Sequence, residues 1–209
     1  MREISFADAL DVPVHICHVS TKNSVAMIRD AKKRGVKVTA ETAPHYFSFT
    51  EKELLRRDAD FRMNPPLRRE EDRQAVIEGL RDGTLDAIAT DHAPHAPEEK
   101  LDFEKAPNGS IGMETSLSAG ITNLVKTGKL TINELINKMS TAPAKILGIN
   151  AGTLSKGAPA DVVLFDIDES YTVDVNKLHG KSKNSPFKNR ELFGKVKYTL
   201  LNGNVVFEG

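Results

Sequence analysis

The residues best suited to chemistry stand at the ends of three apolar runs. His15 and His18 close the first, Glu41 and His45 follow the second, and Asp91, His92 and His95 follow the third. Neutral imidazole and carboxylate oxygen are good ligands for zinc-type ions. An Asp at a strand tip can bind a metal, carry a proton, or do both. One His and one Asp are too few for a catalytic zinc, which normally takes at least three protein ligands. His15 and His18 are three residues apart, so strand alternation points them to opposite faces and only one is expected to face the site. Plainer roles stand beside these. Asp91 could cap a turn, and Asn64 before Pro65-Pro66 could be a turn former. His45 could simply pack, and Cys17 inside an apolar run is expected in the core. Nothing resembles a nucleophile triad, and Gly109 with Gly112 does not make a phosphate loop.

These residues need a scaffold that brings three strand tips together. Residues 12–19, 36–40 and 85–90 read as buried strands, with Pro13 at a tolerated position near a strand start. Helices are expected over 2–10, 22–34, 51–57 and 69–82, the second capped by Ser20-Thr21 and stopped by Gly35. Strand–helix alternation of this rhythm implies a parallel sheet with right-handed crossovers, and such folds place their chemistry at strand C-termini. Helices are expected over 113–127 and 131–138, with a short one after Pro143. From Gly152 onward short alternating runs appear at 161–166, 170–175, 195–201 and 205–207, with a hairpin signal at Asn202-Gly203. The expected domains are 1–150 and a small β-unit over 151–209.

Composition narrows the class. Lys and Arg together number 29, as do Asp and Glu, so no bulk attraction to nucleic acid or an anionic membrane is implied. Hydrophobic residues at 39% and charged residues at 28% suit a globular chain and argue against disorder. Cys17 is the single cysteine, so no intrachain disulfide forms. There is no transmembrane run, and the polar start is unlike a secretory signal. A cytoplasmic protein is expected.

Five segments in order resemble the cyclic amidohydrolases, and among them the dihydroorotase family. They are HICHVST at 15–21, TAETAPHY at 39–46, RMNPPLR at 62–68, ATDHAPH at 89–95 and EKAPNGSIGMET at 104–115. The stretch GTLSKGAPADVVLFD, then NSPF, LFGKV and NGNVV, is also family-like. The resemblance implies an α/β fold of the (β/α)8 barrel type. It makes His18 a metal ligand on barrel strand 6, and Asp91 the strand-8 aspartate that binds metal and shuttles the proton. Asn64 and His95 would contact substrate, and Asn108 and Gly109 would form a loop closing over the ring. The implied reaction is reversible ring closure of N-carbamoyl-aspartate to dihydroorotate, with one or two zinc ions polarising the carbonyl and activating water.

The family's first motif, His-x-His, is absent, as are the arginine after it, the mid-barrel bridging group and the strand-5 histidine. The chain is therefore expected to hold an incomplete barrel, strands 6–8 with their helices, plus the β-segment. Three parallel strands cannot close a barrel and leave an exposed edge. Little activity is expected of the chain alone, and a second copy or a complementing N-terminal chain is the implied partner. Two other readings remain: a hydantoinase- or allantoinase-like enzyme, and a non-catalytic dihydroorotase-like assembly subunit. Retention of both His18 and Asp91 favours a catalytic parent.

Overall fold

Two three-stranded sheets organise the chain in the computed structural model, which describes residues 1–209. The first is parallel, in the order β1 (Val14–Ile16), β2 (Val38–Thr42), β3 (Ala87–Ile88). Its register pairs Val14 with Val38, Ile16 with Ala40, and Thr42 with Ile88. Helix α1 (Arg2–Leu10) precedes β1, and α2 (Lys22–Lys33) crosses from β1 to β2. The short α3 (Pro44–Ser48) and then α4 (Glu70–Arg81) lie between β2 and β3.

Helical spacing explains the packing. Val25, Ile28 and Ala31 form one buried stripe on α2, and Val76, Ile77 and Leu80 form another on α4. Both stripes join a single core with Ala40 and Ile88 from the strands and Leu85 just before β3. Each fully buried Val, Leu or Ile side chain here is worth about 1.5–3 kcal/mol relative to exposure. Thr21 caps α2 by accepting from Ser24 N at 3.1 Å, and Gly35 beyond its end takes φ +84°.

Three more helices follow, α5 (Ser116–Gly120), α6 (Ile132–Ile136) and α7 (Ala142–Leu147). The second sheet is antiparallel, β4 (Val162–Thr172), β5 (Glu191–Leu201) and β6 (Asn204–Glu208). Asn202 and Gly203, both at positive φ, make its tight turn. This sheet is tied to α5, where Ser118 Oγ donates to Gly194 O at 2.9 Å and Tyr171 OH donates to Ser118 Oγ at 3.0 Å. No helix is long and apolar enough to cross a membrane.

Several elements differ from expectation. The first strand is shorter than 12–19, because Pro13 offers no N–H and His18 turns the chain at φ +54°. The second begins later than 36 and runs through Glu41, so that carboxylate belongs to the strand. The expected helix at 51–57 is a 3-10 segment, Glu51–Arg56, ended by Arg57 at φ +51°. The runs at 161–166 and 170–175 form one strand interrupted by register shifts. Helices α5 and α6 each continue into a π-helical turn, over Ile121–Val125 and Asn137–Thr141.

Candidate metal and substrate site

The C-terminal ends of the parallel strands converge on His18. Its Nε2 lies 3.6 Å from Asp91 Oδ1 and 3.6 Å from Glu41 Oε1. His18 and Asp91 both have left-handed backbones, at φ +54° and +49°, just past the ends of β1 and β3. His and Asp tolerate this region better than most residues, but it still costs of order 1 kcal/mol or more. The turn at His18 also overrides strand alternation. His15 and His18 were expected on opposite faces, yet both approach Glu41, His15 Nε2 standing 3.2 Å from Oε2.

The sequence marks Glu41 as a polar residue at a strand tip but assigns it no role. It occupies the same face of β2 as Thr39, which shares a 2.8 Å hydrogen bond with His15 Nδ1. His15 thus holds one oxygen of Glu41 and leaves the other toward His18. The donor chemistry fits a divalent ion. Ligand atoms about 2.1 Å from a tetrahedral ion lie roughly 3.4 Å apart, close to the separations around His18 Nε2.

Cys17 departs from the expected core placement and is exposed, because it follows the last residue of β1, the edge strand. Its sulfur lies near His15 and Glu41, and the donor atoms of the three are within 4.8 Å of one another. Burial and the Glu41 carboxylate push the thiol above its ordinary pKa, which disfavours the thiolate a metal would need.

His45 is buried, with Nε2 3.5 Å from Asp91 Oδ2. Burial pushes its imidazole pKa below the usual range, against the opposing pull of Asp91. His92, next to Asp91, is used structurally: its Nδ1 accepts from Gly112 N at 3.1 Å.

The residues expected to meet substrate lie on three loops that hydrogen-bond to one another. Arg62 O accepts from Gly109 N at 2.8 Å, joining the Asn64 loop to the 107–110 loop. Ala93 N donates to Ser110 O at 2.8 Å, and His95 Nε2 meets Asn108 O at 3.0 Å. Asn64 and Asn108 are exposed, His95 is half-buried, and Gly109 is buried at φ +142°. A Cβ at Gly109 would come within 2.7 Å of Ala93 Cβ and 2.9 Å of His95 Nε2, so only glycine fits. Lys100 Nζ donates to Pro107 O and Gly109 O, both at 3.0 Å, and burial lowers its pKa.

Asn184 locks these loops, and the sequence singled out only its NSPF neighbourhood. Its side chain accepts from His95 N at 3.3 Å and donates to Ala93 O at 3.4 Å and Gly109 O at 3.1 Å. A cavity of about 490 Å³ is lined on this side by His92, His95, Glu114 and Lys181 and does not reach His18 or Asp91. The strand tips, not that cavity, carry the converging donors.

The chain is similar to known proteins over nearly its whole length. Residues 4–206 match the profile of the Amidohydrolase family. A dihydroorotase of Acetivibrio thermocellus is 55% identical over 206 residues, 98% of this chain and 48% of that protein. A dihydroorotase of Geobacter metallireducens is 52% identical over 208 residues, 99% of this chain and 49% of that protein. Among solved structures, the L-hydantoinase (dihydropyrimidinase) of Arthrobacter aurescens superposes with a TM-score of 0.93 at 32% identity, covering 99% of this chain and 47% of that one. The chain spans about half the length of the curated relatives it matches.

Proposed function

The chain belongs to the amidohydrolase family, and from that premise we propose that it forms part of a dihydroorotase-type, metal-dependent hydrolase. The observation that carries this is the meeting of His18 Nε2 and Asp91 Oδ1 at 3.6 Å, from the tips of β1 and β3 on either side of β2. Residues 1–150 would supply barrel strands 6–8 with their helices, and 151–209 the small β-unit. His18 and Asp91 would hold zinc, one or two ions, with Glu41 within reach and the remaining ligands on further polypeptide. When bound, the metal polarises the scissile carbonyl and acidifies the attacking water.

The chain's own residues do the rest. In the hydrolytic direction Asp91 accepts the proton of the attacking water. It returns that proton to the ring nitrogen as the amide C–N bond breaks, giving N-carbamoyl-L-aspartate. His95, held by Asn184 and Asn108, would meet the substrate carboxylate, and Asn64 the ring edge. Asn108 and Gly109 would close over the ring through backbone groups. Exposed Phe6, Leu10 and Val12 beside β1 support an interface there, filled by a second copy or a complementing N-terminal segment. The likeness to hydantoinases extends over the same residues but at lower identity, so it supports the shared fold more than a shared substrate.

The test is complementation. The chain is assayed with zinc, alone and mixed with a separately expressed N-terminal segment of a dihydroorotase, following dihydroorotate hydrolysis. Activity only in the mixture, lost on Asp91→Ala, supports the reading. Turnover of a hydantoin but not dihydroorotate transfers it to the hydantoinases. Turnover by the chain alone contradicts the incomplete ligand set.

A further inference from the structure

The two oxygens of Asp91 face different imidazoles. Oδ1 stands 3.6 Å from His18 Nε2, and Oδ2 stands 3.5 Å from His45 Nε2. His18 is partly exposed, whereas His45 is only 2% exposed. His45 Nε2 has no hydrogen-bond partner within normal distance, although it is buried. Buried polar atoms are rarely left so, and an orphan aimed at a carboxylate calls for an explanation.

The surroundings of His45 fix where its ring points. Residues 43–46 turn straight from β2 into α3, with Pro44 at the first helical position. The imidazole packs edge-on against Tyr46 at a centroid distance of 4.1 Å, and Tyr46 OH donates to Pro65 O at 2.8 Å. The ring is therefore anchored between the end of β2 and the Asn64 loop. Asp91 has no comparable anchor in its own backbone, which sits at φ +49° beyond β3.

We propose that His45 is a positioning residue for Asp91, its Nε2–H holding Oδ2 so that Oδ1 is presented to His18 and the bound metal. A neutral imidazole carries one N–H, so the proposal fixes the tautomer. With the proton on Nδ1, the Nε2 lone pair would instead oppose the carboxylate. The inference rests on Asp91 being a ligand of the proposed site. It goes further by dividing the work of its two oxygens, one kept as a ligand and the other restrained by a buried donor. Partners of this kind orient metal ligands, and their loss typically costs about 10–100-fold in metal affinity.

The test uses the full chain and does not depend on turnover. Long-range proton–nitrogen NMR spectra are recorded for the wild-type chain and for Asp91→Asn. The expected result is a neutral His45 protonated at Nε2, whose Nε2 resonance moves on Asp91→Asn. A proton on Nδ1, or an Nε2 resonance indifferent to Asp91→Asn, overturns the proposal. Zinc affinity is then measured by competition with a coloured chelator for His45→Leu, His45→Gln and His45→Asn. His45→Leu is expected to lose about tenfold or more, and His45→Gln, whose amide restores an N–H, to stay within about threefold. If His45→Leu does not fold, His45→Asn, with an amide too short to reach Oδ2, takes its place. Equal effects in the donor and non-donor variants overturn the proposal. A wild-type chain that binds no zinc but shows the Asp91-sensitive Nε2 proton contradicts the metal site and leaves the contact standing. Zinc binding lost in Asp91→Asn and unchanged in every His45 variant does the reverse.

Discussion

Asn184 and Gly109 are joined by a 3.1 Å hydrogen bond from side-chain amide to backbone carbonyl. They lie on different loops, one joining β4 to β5 of the second sheet and one beside the strand-tip cluster. The same amide group reaches Ala93 O and the backbone of His95. The connection between β4 and β5 therefore sets the geometry of two loops expected to meet substrate. Asn184→Asp turns the donor into an acceptor facing two carbonyl oxygens, leaving buried groups unpaired. The expected cost is about 1–3 kcal/mol. Thermal unfolding should report it at roughly 2–4 °C per kcal/mol for a chain of this size. In the complemented enzyme KM should rise more than kcat falls.

The strand tips were legible because apolar runs ending in His and Asp are a local signal, and His18 and Asp91 do meet. Asn184 was not, since an Asn before Ser185-Pro186 is locally a turn residue and its partners lie some 75 to 91 positions away. The role of Glu41 is not legible from its apolar run, because the second strand extends two residues beyond that run. Alternation does not give the face of His18, because it holds only while the chain stays in the strand, and a left-handed backbone at residue 18 resets it. Cys17 looked like core because its neighbours are apolar; edge position, which depends on the sheet order, decided otherwise.

Gly109→Ala tests how closely the loop is fitted to His95. The added methyl would strike Ala93 and the His95 ring, at a φ of +142° that a Cβ already disfavours. Strain of this kind costs of order 1–3 kcal/mol. The displaced imidazole should raise KM for dihydroorotate in the complemented enzyme while zinc affinity stays unchanged. An equal loss of zinc binding would show that the loop and the strand-tip cluster are not separable.

Glu41→Gln keeps the size of the side chain and removes its charge 3.6 Å from His18 Nε2. If Glu41 contributes to holding the ion, zinc affinity of the full chain should fall about tenfold. His15→Gln, which removes the group restraining Oε2, should lower it less. Unchanged zinc affinity in Glu41→Gln would reduce the ligands in this chain to His18 and Asp91.

Asp60 makes stability depend on pH. Burial, followed by repulsion from Asp58, raises its carboxyl from 3.8 to about 6, with Lys100 and Lys188 opposing the shift. A carboxyl with a raised pKa binds its proton more tightly in the folded chain than in the unfolded one. Between about pH 4 and 6 the folded state therefore holds more protons, and stability falls as pH rises through that window. Above it, the charged form carries the full penalty. Asp60→Asn should consequently be more stable than wild type at pH 7 and should converge with it toward pH 4. Urea denaturation of both proteins at several pH values measures this directly. A wild-type advantage at pH 7 would mean that the pull of Lys100 and Lys188 outweighs the burial of the charge.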